Sequence, residues 1–194
     1  GIRGVPADNI FLGNGSDEAI DLIFRIFCIP GKDKALAISP SYGMYEVCAA
    51  TNDVALEKVP LRKDFSLDTE ALMDKAGANV KVIFLCSPNN PSGNAFPKEQ
   101  LLEIAGRFDG IVVVDEAYID YSSIPSLIND AVSEEYGNII VLQTMSKARG
   151  MAALRLGMAF SSKRIISLMS MVKYPYNISK ATQEIAAGIL KRDI

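Results

Sequence analysis

The chain has 194 residues, of which 49% are hydrophobic and 22% charged, so a sizeable core can form in one large domain or two small ones. Its net charge of −3, and the lack of any apolar run near the roughly 18 residues of a membrane span, give no reason to expect a nucleic-acid or membrane partner. It contains no histidine, which excludes His-based triads, His general bases and His metal ligands within the chain and leaves acid–base work to Lys, Asp, Glu, Tyr or a cofactor.

From the N-terminus, Pro6 to Asn9 reads as a turn, and Ile10 to Leu12 as a short strand running into Gly13-Asn14-Gly15-Ser16. Residues 16–29 place Ile20, Ile23, Phe24 and Phe27 at helical spacing, with Ser16 expected as the N-cap, Asp17 and Glu18 in the first turn, and Pro30-Gly31 as the stop. A strand follows over 34–38, a loop over 39–42 and a helix over 43–51. Residues 54–59 alternate and predict a strand near an edge, and a short helix over 67–75 is expected behind a Ser66 cap. The apolar run at 80–85 predicts a buried strand before the turn-rich CSPNNPSGN. A helix over 98–108 turns Leu101, Leu102 and Ala105 inward, and 110–114 is the most apolar strand. Residues 123–132 read as a loop or short helix. Strands at 139–143 and 156–160 and helices near 162–173 and 178–191 complete the pattern.

Strands alternating with helices predict an α/β fold: a three-layer αβα sandwich around a mostly parallel, seven-stranded sheet, in one domain over 1–194. The connection between the last two strands is short for a crossover, so one of them can run antiparallel. Cys28, Cys48 and Cys86 are odd in number and lie in apolar surroundings. With no stretch that reads as a signal peptide, they predict reduced core thiols and a cytoplasmic protein.

Several motifs sit at strand ends, where open α/β sheets place ligands. GNGSDE at 13–18 joins a strand to a helix whose first N–H groups can meet an anion, although a tight turn with a capped helix explains it equally well. In SPNNPSG at 87–93, Asn90 lies beyond a buried strand and offers an amide, in what is otherwise a rigid turn. In VVVDEAY at 112–118, an aspartate directly after an apolar strand is costly unless it is paired or ligand-facing. A helix cap, a salt bridge or, with Glu116, a magnesium site are the rivals. Lys147, just past the strand at 139–143, can be a solvated loop lysine or an amine nucleophile able to form a Schiff base. Tyr42 and Tyr118 can be core or rim aromatics. Lys147 as amine, Asp115 as acid, Asn90 as amide, and Ser16, Ser146 and Arg155 as anion donors together suit pyridoxal phosphate.

GNGSDE, SYGMY, SPNNPSG, VDEAY, SKARGMAALRLG and KYPYN, in this order, resemble the fold-type-I pyridoxal-phosphate aminotransferases, most closely the histidinol-phosphate aminotransferase branch, across essentially the whole chain. The resemblance implies that Lys147 forms the Schiff base and shuttles a proton, and that Asp115 pairs with the pyridine nitrogen. It also implies that Asn90 and Tyr118 bond the phenolic oxygen, and that Tyr42 stacks on the ring. The phosphate is expected to rest on backbone amides of Ser16 and Asp17, with Thr144, Ser146 and Arg155. No metal is implied. Arg149 stands where the family more often has an aromatic or leucine, and either the phosphate or a partner subunit is open to it. Met151-Ala152-Ala153 departs from the family's Ala-Gly pair.

The resemblance further implies a homodimer acting on a small amino donor and a 2-oxo acid, with histidinol-phosphate:2-oxoglutarate transamination as the expected reaction. The chain then corresponds to the cofactor-binding large domain, without the N-terminal arm and C-terminal small domain of a full member. As an isolated piece it is expected to fold, to hold cofactor weakly, to self-associate and not to transaminate. Competing readings are an aromatic or other amino-acid aminotransferase, a threonine-phosphate decarboxylase-like enzyme, an aminotransferase-like effector domain of a transcription regulator, and a dimerisation scaffold with a dead site.

Overall fold

Apolar runs bounded by turn residues become seven strands: β1 (Ile10–Asn14), β2 (Lys34–Ser39), β3 (Ala55–Pro60), β4 (Val80–Cys86), β5 (Ile111–Asp115), β6 (Ile139–Thr144) and β7 (Leu156–Phe160). In the computed structural model, which describes residues 2–191, they form one sheet in the order β1-β7-β6-β5-β4-β2-β3. Neighbours from β3 across to β6 are parallel, whereas β7 runs antiparallel to both β6 and β1. β7 is thus the reversed strand that the short connection allowed, and β3 lies at an edge as its alternating pattern predicts.

Because side chains alternate across a strand, the sheet feeds two cores. One face carries Leu36, Ile83, Leu85, Val112, Val114 and Val141, covered by α3 (Thr69–Lys75), α4 (Lys98–Arg107), α5 (Ile128–Ala131) and Ala186 of α7 (Lys180–Leu190). The other carries Ala35, Val82, Phe84, Val113, Ile140 and Leu142, covered by α1 (Ser16–Phe27), α2 (Met44–Thr51) and α6 (Lys163–Val172). This is the expected αβα sandwich. Cys28, Cys48 and Cys86 are free and buried. Among the described residues, no helix is long and apolar enough to cross a membrane.

Two helix caps differ from expectation. Gly15, not Ser16, is the N-cap of α1, because the entering chain needs φ 76° there, a region that disfavours residues with a Cβ. The next helix begins at Thr69 behind Asp68, whose carboxylate accepts from Ala71 N at 3.2 Å, while Ser66 spends its hydroxyl on Asp64 at 2.7 Å. Helix is confined to 128–131 within the stretch 123–132.

The register lines the site residues along one sheet edge. Cys86 faces Asp115, Asp115 faces Leu142, Thr144 faces Gly157, and Asn14 faces Leu156. The ends of β4, β5 and β6 and the turn from β1 into α1 therefore open on the same side. On the outer flank, Asn177 of KYPYN ties its segment to β1 and α1, donating to Leu12 O at 2.9 Å and to Glu18 at 3.0 Å.

Candidate active site

A cleft of about 490 Å³ opens along this edge, and all ten candidate residues line it, together with Gly15, Cys86 and Ala117. On its inner side is Asp115, 2% exposed at the end of β5. Its carboxylate accepts from Tyr45 Oη at 2.8 Å and from Ala117 N at 3.1 Å. Burial pushes the Asp115 carboxyl upward. Those two bonds and Lys147 oppose the shift, while Asp17 adds to it. Glu116, the next residue, points the other way. It accepts from Ser126 Oγ, Leu127 N and Gln143 Nε2 at 2.6, 2.8 and 2.9 Å, which anchors the 126–127 segment. The two carboxylates therefore do not converge as a magnesium pair. Among the described residues, no group of three or more Cys, Asp or Glu side chains is placed to hold a metal ion.

Lys147 follows β6 and is exposed, with Nζ 5.2 Å from the centroid of the Tyr118 ring. Before it, Thr144 Oγ1 donates to Ser146 Oγ at 3.1 Å and accepts from Ser146 N at 3.2 Å, so both hydroxyls are fixed beside the lysine. Asn90 and Tyr118 stand on the same cleft, half-buried.

The other end is shaped for an anion. Gly15 has no side chain to cap α1, so the first N–H groups of that helix are left for the cleft. Gly157 lies directly beneath: a Cβ there would come within 2.3 Å of Gly15 C and Ser16 N. Arg155 adopts φ 50°, ψ 47°, an uncommon conformation for a residue with a side chain, and Gly15 N donates to its carbonyl at 2.8 Å. Its guanidinium covers Gly15, where a Cβ would meet Nη2 at 2.5 Å. Asp17 accepts from Arg155 at 3.4 Å through one oxygen and from Tyr42 Oη at 3.0 Å through the other. Tyr42 is held over the cleft by this bond and by edge contact with Tyr45, with ring centroids 5.6 Å apart. Arg149 lies outside the cleft lining, with Nε 3.9 Å from Asp120.

Three participants were not anticipated from the sequence: Tyr45, which holds Asp115, and Cys86 and Ala117 in the lining. Tyr45 lies on the first turn of α2 and Tyr42 in the loop before it, so no helical spacing links the two in the sequence.

A family model described as aminotransferase class I and II matches residues 2–194. Over 189 residues the chain is 53% identical to the histidinol-phosphate aminotransferase of Parabacteroides distasonis, covering 97% of this chain and 54% of that protein. A solved histidinol-phosphate aminotransferase from Sinorhizobium meliloti, in complex with pyridoxal-5'-phosphate, superposes with a TM-score of 0.81 at 25% identity, covering 92% of this chain and 49% of that one. The aspartate aminotransferase of Thermotoga maritima shares the fold at a TM-score of 0.86 and 23% identity, over 96% of this chain and 52% of that one. The chain spans about half the length of the relatives it matches.

Proposed function

The chain belongs to the class I and II aminotransferases, and from that premise we propose that the intact protein transfers an amino group between histidinol phosphate and 2-oxoglutarate with pyridoxal phosphate as cofactor. The observation that carries this reading is the meeting, in one cleft, of an exposed amine (Lys147), a buried carboxylate (Asp115) and an anion cradle (the start of α1 with Arg155). The donor set fits that cofactor. Asp115 is a buried acid with room for a cationic N–H, and the close approach of Gly157 and Gly15 leaves the start of α1 open where a Cβ would fill it.

When bound, pyridoxal phosphate supplies an electron sink for charge developing at the substrate Cα. Lys147 would hold the cofactor through its amine and, once the substrate's amine has displaced it, would be free to move a proton at the substrate Cα. Asp115 keeps a proton on the ring nitrogen. Asn90 and Tyr118 would donate to the phenolic oxygen, and Tyr42 would pack against the ring. The N–H groups of Ser16 and Asp17, the hydroxyls of Thr144 and Ser146, and Arg155 receive the phosphate. On this reading the protein works in the cytoplasm as a homodimer. The exposed aromatics Tyr174 and Tyr176 on the outer flank support a covered surface there.

Purified intact protein supplied with pyridoxal phosphate and 2-oxoglutarate tests the reading, with histidinol phosphate, phenylalanine and aspartate as competing donors. Preferred turnover of histidinol phosphate is expected. Preference for another donor, loss of carbon dioxide from threonine phosphate, or no turnover at all would overturn it.

A further inference from the structure

Asp115 has a buried partner, Tyr45, that the chemistry above leaves unused. Tyr45 is 1% exposed, and its hydroxyl donates to Asp115 Oδ2 at 2.8 Å. Its ring stacks on Phe84 of β4 with centroids 4.8 Å apart and planes 21° apart, and it meets Tyr42 edge-on. These contacts fix the ring, so the hydroxyl has one direction in which to act. With Ala117 N on Oδ1, both carboxylate oxygens are held, and each keeps a lone pair for a donor from the cleft.

We propose that Tyr45 is a positioning residue, whose hydroxyl keeps Asp115 ionised and aimed at the ring N–H of the cofactor; this rests on the reading of Asp115 given above. Burial alone favours the neutral acid. Of the charged groups facing Asp115, Asp17 of α1 also favours the neutral form, and Lys147 beyond β6 favours the carboxylate. The remaining neighbours stay neutral at physiological pH. The Cys86 thiol of β4 is pushed up to about 12 by burial and by Asp115, and the hydroxyls of Tyr42 and Tyr45 are pushed upward by burial. A hydroxyl donating from a packed ring is therefore a main support of the negative charge, and it is strongest where water is excluded.

The test compares pyridoxal phosphate with its 1-deaza analogue, in which a carbon replaces the ring nitrogen, by Kd on the intact protein and its Tyr45→Phe variant. Phenylalanine keeps the stacking on Phe84 and removes only the donor. The wild type should prefer the natural cofactor. Tyr45→Phe should cut that preference on the order of tenfold while leaving the analogue's Kd unchanged, and should raise the pH at which the preference appears. Added to Asp115→Asn, the change should cost nothing further in preference. Equal losses for both ligands, an unchanged preference, or a further loss on the Asp115→Asn background would overturn the proposal. A wild type that binds both ligands equally would instead overturn the reading of Asp115, and this inference with it.

Discussion

Arg155 Nη2 lies 3.4 Å from Asp17 Oδ2, so the guanidinium at the anion end of the cleft rests on a carboxylate from the first turn of α1. Both side chains are substantially exposed, 49% and 34%, and an ion pair of that kind contributes only about 0–1 kcal/mol. A phosphate can draw the guanidinium away at small cost, since a planar fork matches phosphate oxygens well. Arg155→Ala should therefore weaken cofactor binding far more than Arg149→Ala, whose side chain is turned toward Asp120. Equilibrium titration with pyridoxal phosphate measures both, and equal losses would place the phosphate elsewhere.

Lys147 is the lysine that lines the cleft. Borohydride reduction of the holoprotein should fix the cofactor to the peptide carrying Lys147. Mapping of the adduct to any other lysine would remove this residue from its role.

Replacing Asp115 by asparagine should leave cofactor bound but slow turnover on the order of a hundredfold or more, because the charge facing the ring nitrogen is lost in a dry site. Near-normal turnover would refute the role. Stability should move the other way. An acid whose folded pKa is raised folds best protonated, so its cost is absent below the unfolded value of about 3.9, grows as pH rises through the folded value, and is full above it. Without cofactor, Asp115→Asn should melt above the wild type at pH 7, with the difference shrinking as pH falls toward 4. The asparagine can accept from Ala117 N and donate to Tyr45, so the packing survives. A melting difference independent of pH would show that burial of this charge is not the cause.

Gly157→Ala should destabilise the protein by about 1–3 kcal/mol and weaken cofactor binding, since the new methyl would run into the backbone of Gly15 and Ser16. Gly188→Ala, in a helix with open space around it, should be neutral or stabilising by about 0.5–1 kcal/mol. Chemical denaturation of both variants checks the contrast, and similar behaviour would mean that the backbone at Gly157 relaxes freely.

The strands were legible because buried parallel strands are continuous apolar runs between turn residues. The strand-end positions of Asn90, Asp115 and Lys147 followed from that. The pairing of β7 with β1 was not legible, since nothing local in Leu156–Phe160 names a partner at Ile10–Asn14. Tyr45 reads in sequence as one more apolar position of a helix, and only its packing on Phe84 turns the hydroxyl toward Asp115. The Ser16 and Ser66 caps were misjudged for a related reason. Side-chain preference favours serine, but at the first site backbone conformation demanded Gly15, and at the second the aspartate nearer the helix took the cap.

The reversed strand β7 also sets an order of events during synthesis. Ile10 pairs with Phe160, so β1 is made before the other six strands of this sheet and waits for a neighbour until β7 has been made. The parallel block from β2 to β6 can collapse meanwhile, with β6 presenting an open edge that invites mispairing. Only the insertion of β7 brings Gly157 under Gly15 and Arg155 over it. The pocket at the start of α1 is thus completed only when β7 joins the sheet.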